Sequence, residues 1–310
     1  MTPAAEEIYS ETTKEMLLSV FPLQSMNARA GSLIGRVCMV TGATGALGKA
    51  TANAFAQRGA RVVLVSRDEA RAHAVVASVR QSSGAGSVDA LQADLSDLRS
   101  VRNLAKSFGD AHDRLDVLVN AAAVFARKRI ETADGFELMF VTNFLGPFLL
   151  TNLLVPALRA GAPSRVITVS APTTTELDFA DLQGNTRWRP LHAFGASKMA
   201  DLLFTYALAR RLEGTGVHAN VLHPGVFKSD LMRDLAAPVR FVVRLGSKPP
   251  EQAAEAVAYL ASSPHLEGFT GRFFKGKQPS ESNAYSRDSK VQKRLWREGE
   301  RLVGESFPEA

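Results

Sequence analysis

One cysteine, two tryptophans and four tyrosines are all that 310 residues contain of these types. A lone cysteine excludes a disulfide framework, and Cys38, inside an apolar run, reads as core in a chain suited to a reducing, cytoplasmic setting. No apolar run approaches the ~20 residues of a membrane span. The charged residues do not cluster either: 37 Lys and Arg stand against 31 Asp and Glu. They are scattered, with no basic run interleaved with aromatics, which argues against nucleic acid as a partner. No metal site is expected. The opening stretch MTPAAEEIYSETTKEMLLSVFPLQ is acidic early and lacks a basic n-region and a long apolar core, so it is not a secretory signal. Met16, Leu17, Val20 and Phe21 share one face of a short helix there, suited to an arm on its own domain or to a dimer or membrane-surface contact.

What is present is a repeating alternation. From Gly35 onward, short apolar runs rich in β-branched residues alternate with helical patterns: Arg36–Ala43, Ala60–Arg67, Val88–Leu95, Leu115–Ala122, Arg165–Ala171 and Val217–Gly225, with Gly268–Phe274 as a last strand. Runs of this kind, bounded by Gly, Pro or Asp, predict a parallel sheet buried on both faces. The expected fold is α/β, a Rossmann-type doubly wound parallel sheet in three layers (α/β/α), forming a single domain. Its bounds are set at 35–275, between an N-terminal extension (1–34) and a C-terminal helical extension (276–310).

TGATGALGKA follows the first run and opens a helix. Gly42, Gly45 and Gly48 let the backbone turn tightly, approach a pyrophosphate and pack helix on strand, while the unpaired N–H groups of Thr44, Ala46 and Leu47 face the phosphates. Between a first strand and a first helix this triplet predicts a dinucleotide site. The second strand ends in Ser66 and Arg67, a hydroxyl and a guanidinium suited to a 2′-phosphate, with Asp68 one step later and Lys49 adding charge. NADP(H) is therefore preferred, with NAD(H) open if Asp68 takes the ribose instead. Asp94 and Leu95 stand at the adenine edge. An anionic cofactor also accounts for part of the formal +6 charge.

With TGATGALGKA, LVNAAAVF, VTNFLGPFLLTNLL, RVITVSAP, LDFADLQG, FGASKMADLLF, HPGVFKSDL and EAVAYLASSP in this order, the chain from about Gly35 to Gly304 resembles the classical short-chain dehydrogenase/reductase (SDR) family, in particular its retinol-dehydrogenase-like branch. The resemblance implies an oxidoreductase that moves hydride between nicotinamide and a carbonyl or alcohol, commonly as a homodimer or homotetramer. It puts the family's catalytic asparagine, which anchors a water in a proton relay, on Asn143. Its lysine, which bonds the nicotinamide ribose and lowers the tyrosine's pKa, falls on Lys198. Asn120, Ala121, Pro224, Gly225 and Ser229 fall on cofactor-contacting positions, although the usual Asn-Asn-Ala-Gly element reads NAAA here.

The departures carry the functional question. The tyrosine position is Phe194 and the serine position is Ala171; Ser170 cannot replace the latter, since neighbours on a strand face opposite sides. Proton donation to the developing alkoxide is worth about 10²–10⁴-fold, and an oxyanion donor about 10²–10³-fold. Conventional turnover is therefore expected to be weak or absent. Three readings stay open. One is redox work with another acid (His192, Thr173 to Thr175 or Asp178) or on a substrate needing little acid. Another is a pocket repurposed for a non-redox cyclisation or isomerisation. The third is a non-catalytic cofactor-binding protein or an inactivated variant. Phe125, Phe148, Trp188, Phe227 and Met232 lie near pocket-lining segments and imply a small apolar ligand. A lid over 227–250 and a charged amphipathic helix over 290–304, with Leu295, Trp296 and Leu302 docking on the domain or a partner subunit, complete the expectations.

Overall fold

The computed structural model describes residues 31–83, 87–229, 231 and 247–308. The N-terminal arm and most of the 227–250 segment, including Met232, lie outside the described residues. Each apolar run forms a strand: β1 (Val37–Thr41), β2 (Arg61–Ser66), β3 (Val88–Gln92), β4 (Val117–Asn120), β5 (Ser164–Val169), β6 (Val217–His223) and β7 (Phe273–Lys275). Parallel neighbours cannot be joined by a tight turn, so a crossover helix separates them and covers a face of the sheet. These helices are α1 (Ala46–Ala56), α2 (Glu69–Ser83), α3 (Leu98–Ala111), α4 (Leu138–Phe140, a π turn Val141–Leu145, then Gly146–Leu153), α5 (Val155–Ala160), α6 (Pro190–Arg211) and α7 (Pro250–Ser262).

The strands run in the order β3-β2-β1-β4-β5-β6-β7-β8, parallel except for the last pair. Successive residues divide between two cores, as a strand period of two requires. Cys38, Val40, Val62, Leu64, Val117 and Val119 pack with Phe55 of α1, Val76 of α2 and Val257 and Leu260 of α7. Met39, Val63, Val65, Leu118 and Val166 pack with Phe108 of α3, Phe144 and Phe148 of α4 and Leu203 and Phe204 of α6. This is the three-layer α/β/α sandwich expected. Cys38 is wholly buried, and burial pushes its thiol far above the ordinary range.

Two features depart from the expectations. β8 (Gln278–Ser280), polar and three residues long, pairs antiparallel with β7 across a turn at Gly276 (φ 59°), so the boundary drawn after 275 cuts through a hairpin. Beyond it, α8 (Ala284–Arg287) and α9 (Ser289–Val303) complete the same core. Trp296 of α9 meets Phe148 edge-on (5.0 Å), stacks on Phe204 (5.8 Å) and takes the Arg211 guanidinium over its ring at 3.8 Å. Phe148 is thus core rather than pocket wall, because α4 turns it toward α6 and α9.

At the sheet's amino edge, buried Asp116 accepts from Val37 N (2.8 Å) and Arg36 Nη1 (2.7 Å), and pairs with Arg114 as well. Replacing Asp116 by Ala leaves that backbone donor without its acceptor, and we expect it to destabilise the fold by about 2–3 kcal/mol, read as a lower urea midpoint at unchanged slope.

Candidate active site

Ligand crevices in open parallel sheets form at the carboxyl ends of the strands, where neighbouring crossovers leave in opposite directions. Here that point is the β1–β4 pair, and the loop after β1 is the glycine turn. Gly42 has φ +66°, and a Cβ on it would lie 2.7 Å from Ala122 Cα, so the turn is pressed against the loop after β4. A Cβ on Gly48 would lie 2.3 Å from Gly42 O. Gly45 is different: exposed, with only Gly42 O at 3.3 Å near its missing Cβ, it starts α1 with no capping side chain. Two of the three glycines serve packing, and the third keeps the helix's first N–H groups open to an anion. Ala46 follows at the helix start, and Leu47 is buried beneath it. A pyrophosphate fits this cradle.

The loop after β4 is held from β1. The Thr41 hydroxyl donates to Val119 O (3.3 Å) and accepts from Ala121 N (3.0 Å) and Ala122 N (3.2 Å), while Asn120 Nδ2 donates to Thr151 Oγ1 (3.0 Å). Thr41 and Thr151 thus support NAAA from β1 and α4.

Beyond β2 an open groove is lined by Arg67, Asp68, Gln92, Ala93, Asp94 and Ser100. Ser66 does not present its hydroxyl there. It is buried, accepts from Asp68 N (3.1 Å) and lies 3.4 Å from Thr44 Oγ1, so it shapes the turn. The Asp68 carboxylate caps α2 through Arg71 N (2.9 Å) and pairs with the Arg71 guanidinium. Asp94 accepts from Ser96 N (2.9 Å) and Oγ (2.7 Å), and Leu95 is buried, with Gly146 packed against its carbonyl. Arg67 is exposed and, among the described residues, makes no ion pair with Asp68 or Asp94, which share the groove.

Across the crevice, α6 presents Phe194 and Lys198 together, the ammonium 5.9 Å from the ring centroid. Lys198 Nζ donates to Asp201 Oδ2 (2.8 Å) and Val169 O (3.3 Å). Burial pushes the Asp201 carboxyl up to about 6, against the pull of the Lys198 charge and hydrogen bond. Asn143 lies in the π turn of α4, a helix irregularity often found at functional sites. Its side chain clamps Val124, accepting from N at 2.8 Å and donating to O at 3.1 Å, and donates to Ser197 Oγ at 3.0 Å. Ser170 Oγ donates to Lys198 O from a buried position, which removes it as a stand-in for the hydroxyl absent at Ala171.

His192 is not brought to Phe194. It lines a cavity of about 190 Å³ with Glu137, Asp178, Asp181, Trp188 and Ser197, a lining that does not include Phe194. Positions 192 and 194 are some 200° apart around a helix, which is why the sequence distance misleads. Thr173 is committed to Gly195 O (3.1 Å) and Asp178 to Ala180 N (2.9 Å). The ring of Phe194 packs edge-on to Phe125 (5.7 Å) in an apolar cluster with Ala126, Met139, Trp188 and Leu231. Pro224 and Gly225 (φ 86°) end β6 beside exposed Ser229, and Phe227 bridges to Lys248.

Asp201 and Ser197 are the residues that the sequence reading missed. The signal was there: a lysine and an aspartate at i and i+3, the spacing of helix neighbours, in a stretch otherwise apolar on every side.

Residues 36–239 match the family model described as short chain dehydrogenase. The chain belongs to the short-chain dehydrogenase family. Human retinol dehydrogenase 14 is 38% identical over 295 residues, covering 88% of each chain. Mouse polyprenol dehydrogenase is 42% identical over 282 residues, covering 87% of this chain and 84% of its own. Among solved structures, an uncharacterized protein from Mycobacterium paratuberculosis superposes with TM-score 0.72 at 33% identity, over 90% of this chain and 97% of that one. The Pseudomonas aeruginosa RhlG/NADP active-site complex does so with TM-score 0.66 at 27% identity, over 79% and 95%. This short-chain dehydrogenase is therefore of the retinol-dehydrogenase-like branch. Among the described residues, no helix is long and apolar enough to cross a membrane.

The two kinds of glycine separate in a test. Gly45→Ala should leave the melting temperature within a few degrees and weaken dinucleotide binding by about tenfold or more. Gly48→Ala, whose methyl meets backbone at 2.3 Å, should lower both. Melting curves beside a fluorescence titration check this.

Proposed function

We propose that this short-chain dehydrogenase binds NADP(H) across the carboxyl edge of its sheet and faces an apolar ligand, with conventional carbonyl–alcohol turnover weak or absent. One observation carries the reading: the nucleotide side of the crevice is complete, while Phe194 and Ala171 put a phenyl ring and a methyl where the family's proton-handling hydroxyls belong. Bound there, the cofactor supplies or accepts hydride at its nicotinamide. The chain's own part is to hold the pyrophosphate on the first turn of α1, to order the β4 loop through Asn143, and to place Lys198 under the ring. Of the candidate acids for the carbonyl oxygen, Thr175 keeps its hydroxyl against Gly195, beside Phe194, and an alcohol is a far weaker acid than a phenol. Thr173 and Ser170 donate to backbone carbonyls, and His192 and Asp178 line a cavity whose lining does not include Phe194.

The preference for NADP(H) over NAD(H) rests on the division of labour after β2. An NAD-type ribose contact needs a free carboxylate, and that of Asp68 is spent on the start of α2. Arg67 is left to meet a 2′-phosphate, and RhlG, 27% identical, is seen with NADP. The apolar ligand rests on the Phe125, Phe194, Met139 and Trp188 cluster, and on relatives named for retinol and polyprenol, both long hydrocarbon alcohols. The lone buried cysteine fits a cytoplasmic setting.

Two measurements test this. NADPH should bind at least about tenfold more tightly than NADH, and Arg67→Ala should remove most of that difference; equal affinities for the two would sink the cofactor assignment. The double substitution Phe194→Tyr, Ala171→Ser should raise NADPH-dependent reduction of apolar aldehydes and ketones by about 10²-fold or more, the scale of the restored acid. Brisk reduction by the unaltered protein would overturn the impaired-site reading.

A further inference from the structure

Lys198 is held before any ligand arrives. Its Nζ lies 2.8 Å from Asp201 Oδ2 and 3.3 Å from Val169 O, and only 6% of the lysine side chain and 3% of the aspartate are exposed. Burying two ionised side chains costs hydration that their mutual attraction does not reliably return, and an apolar pair of the same size stabilises a fold as well or better. A pair of this kind, at the carboxyl end of β5 and open to neither face of the sheet, calls for a reason other than stability.

The reason lies next to it. A phenyl face 5.9 Å away attracts an ammonium weakly and offers it no lone pair. With Phe194 in place, the long and rotatable lysine has no acceptor on the ring, and one backbone carbonyl would not fix it. Asp201, one helical turn along on the same buried face of α6, supplies the missing acceptor together with a compensating charge. An ammonium has three donors; Asp201 and Val169 engage two, which leaves one for a hydroxyl in the crevice.

We propose that Asp201 is a positioning residue, whose carboxylate anchors Lys198 in the absence of a ring hydroxyl and so holds the ammonium toward the nicotinamide-side ribose of the dinucleotide. This rests on the NADP(H) reading above. It also has a definite sign: the carboxylate helps the cofactor bind, by ordering the lysine, rather than competing with the ribose for it.

The test uses the full-length protein and two titrants. NADPH spans both halves of the crevice, whereas 2′,5′-ADP fills the adenine half and stops short of Lys198. Asp201→Ala should weaken NADPH by about tenfold or more and leave 2′,5′-ADP within about twofold. Asp201→Asn, which keeps the shape and one acceptor, should fall between. In a Phe194→Tyr background, where a phenol oxygen can share the lysine, the NADPH loss caused by Asp201→Ala should shrink to about threefold or less, a coupling that a merely structural residue would not show. Equal losses for both titrants, an equal loss in both backgrounds, no loss, tighter NADPH binding, or failure of both single variants to fold would each overturn the proposal. If the unaltered protein bound neither titrant, the cofactor reading would fall instead; binding of both with no selective effect of Asp201 would sink the positioning role alone.

Discussion

The pairing of β1 with β4 organises everything else in this molecule. Cys38, Met39 and Val40 register with Val117, Leu118 and Val119, and the chain leaves the two strands toward opposite ends of the sheet. Thr41 then ties the two exits together with one hydroxyl that serves Val119, Ala121 and Ala122. The glycine turn fits only because Gly42 has no side chain to strike Ala122. Shift this register by one residue and both cores would exchange faces, since every strand residue here belongs to one side or the other.

On this frame the two halves of the crevice have had different fates. The phosphate half is built from backbone and missing side chains, so its shape rests on Gly42, Gly45 and Gly48. The chemical half, on the function proposed above, depends on a few atoms at defined places, and Phe194 and Ala171 carry no hydroxyl. Packing does not record the loss: Phe194 stays in an edge-on contact with Phe125, and Asn143 still clamps Val124 while reaching Ser197. Wall-building uses ring faces and backbone, whereas proton transfer uses one oxygen, so the two can vary independently.

Much of this was legible in the residues. Seven strands, their parallel sense, the two-sided burial and the helix start at Ala46 follow from β-branched runs and glycine spacing, which are local properties. The third dimension was not. His192 lies two positions from Phe194 and looks like its neighbour, but a helix turns it some 200° away, into a cavity whose lining omits Phe194. Phe148 stands near a pocket-lining segment in the sequence, and what it packs against, Trp296, lies 148 residues further along the chain. β8 escaped notice because three polar residues on a hairpin carry no periodic signal. The Lys198–Asp201 contact was half visible: spacing reveals that two charges can meet on a helix, but only burial reveals that they must.

The docking of α9 has a consequence for assembly. By laying Trp296 across Phe148 and Phe204, with Arg211 stacked on the indole, the chain spends the outer surface of α4 and α6 on its own tail. A second copy has no bare aromatic ground to seize there without first peeling that tail away.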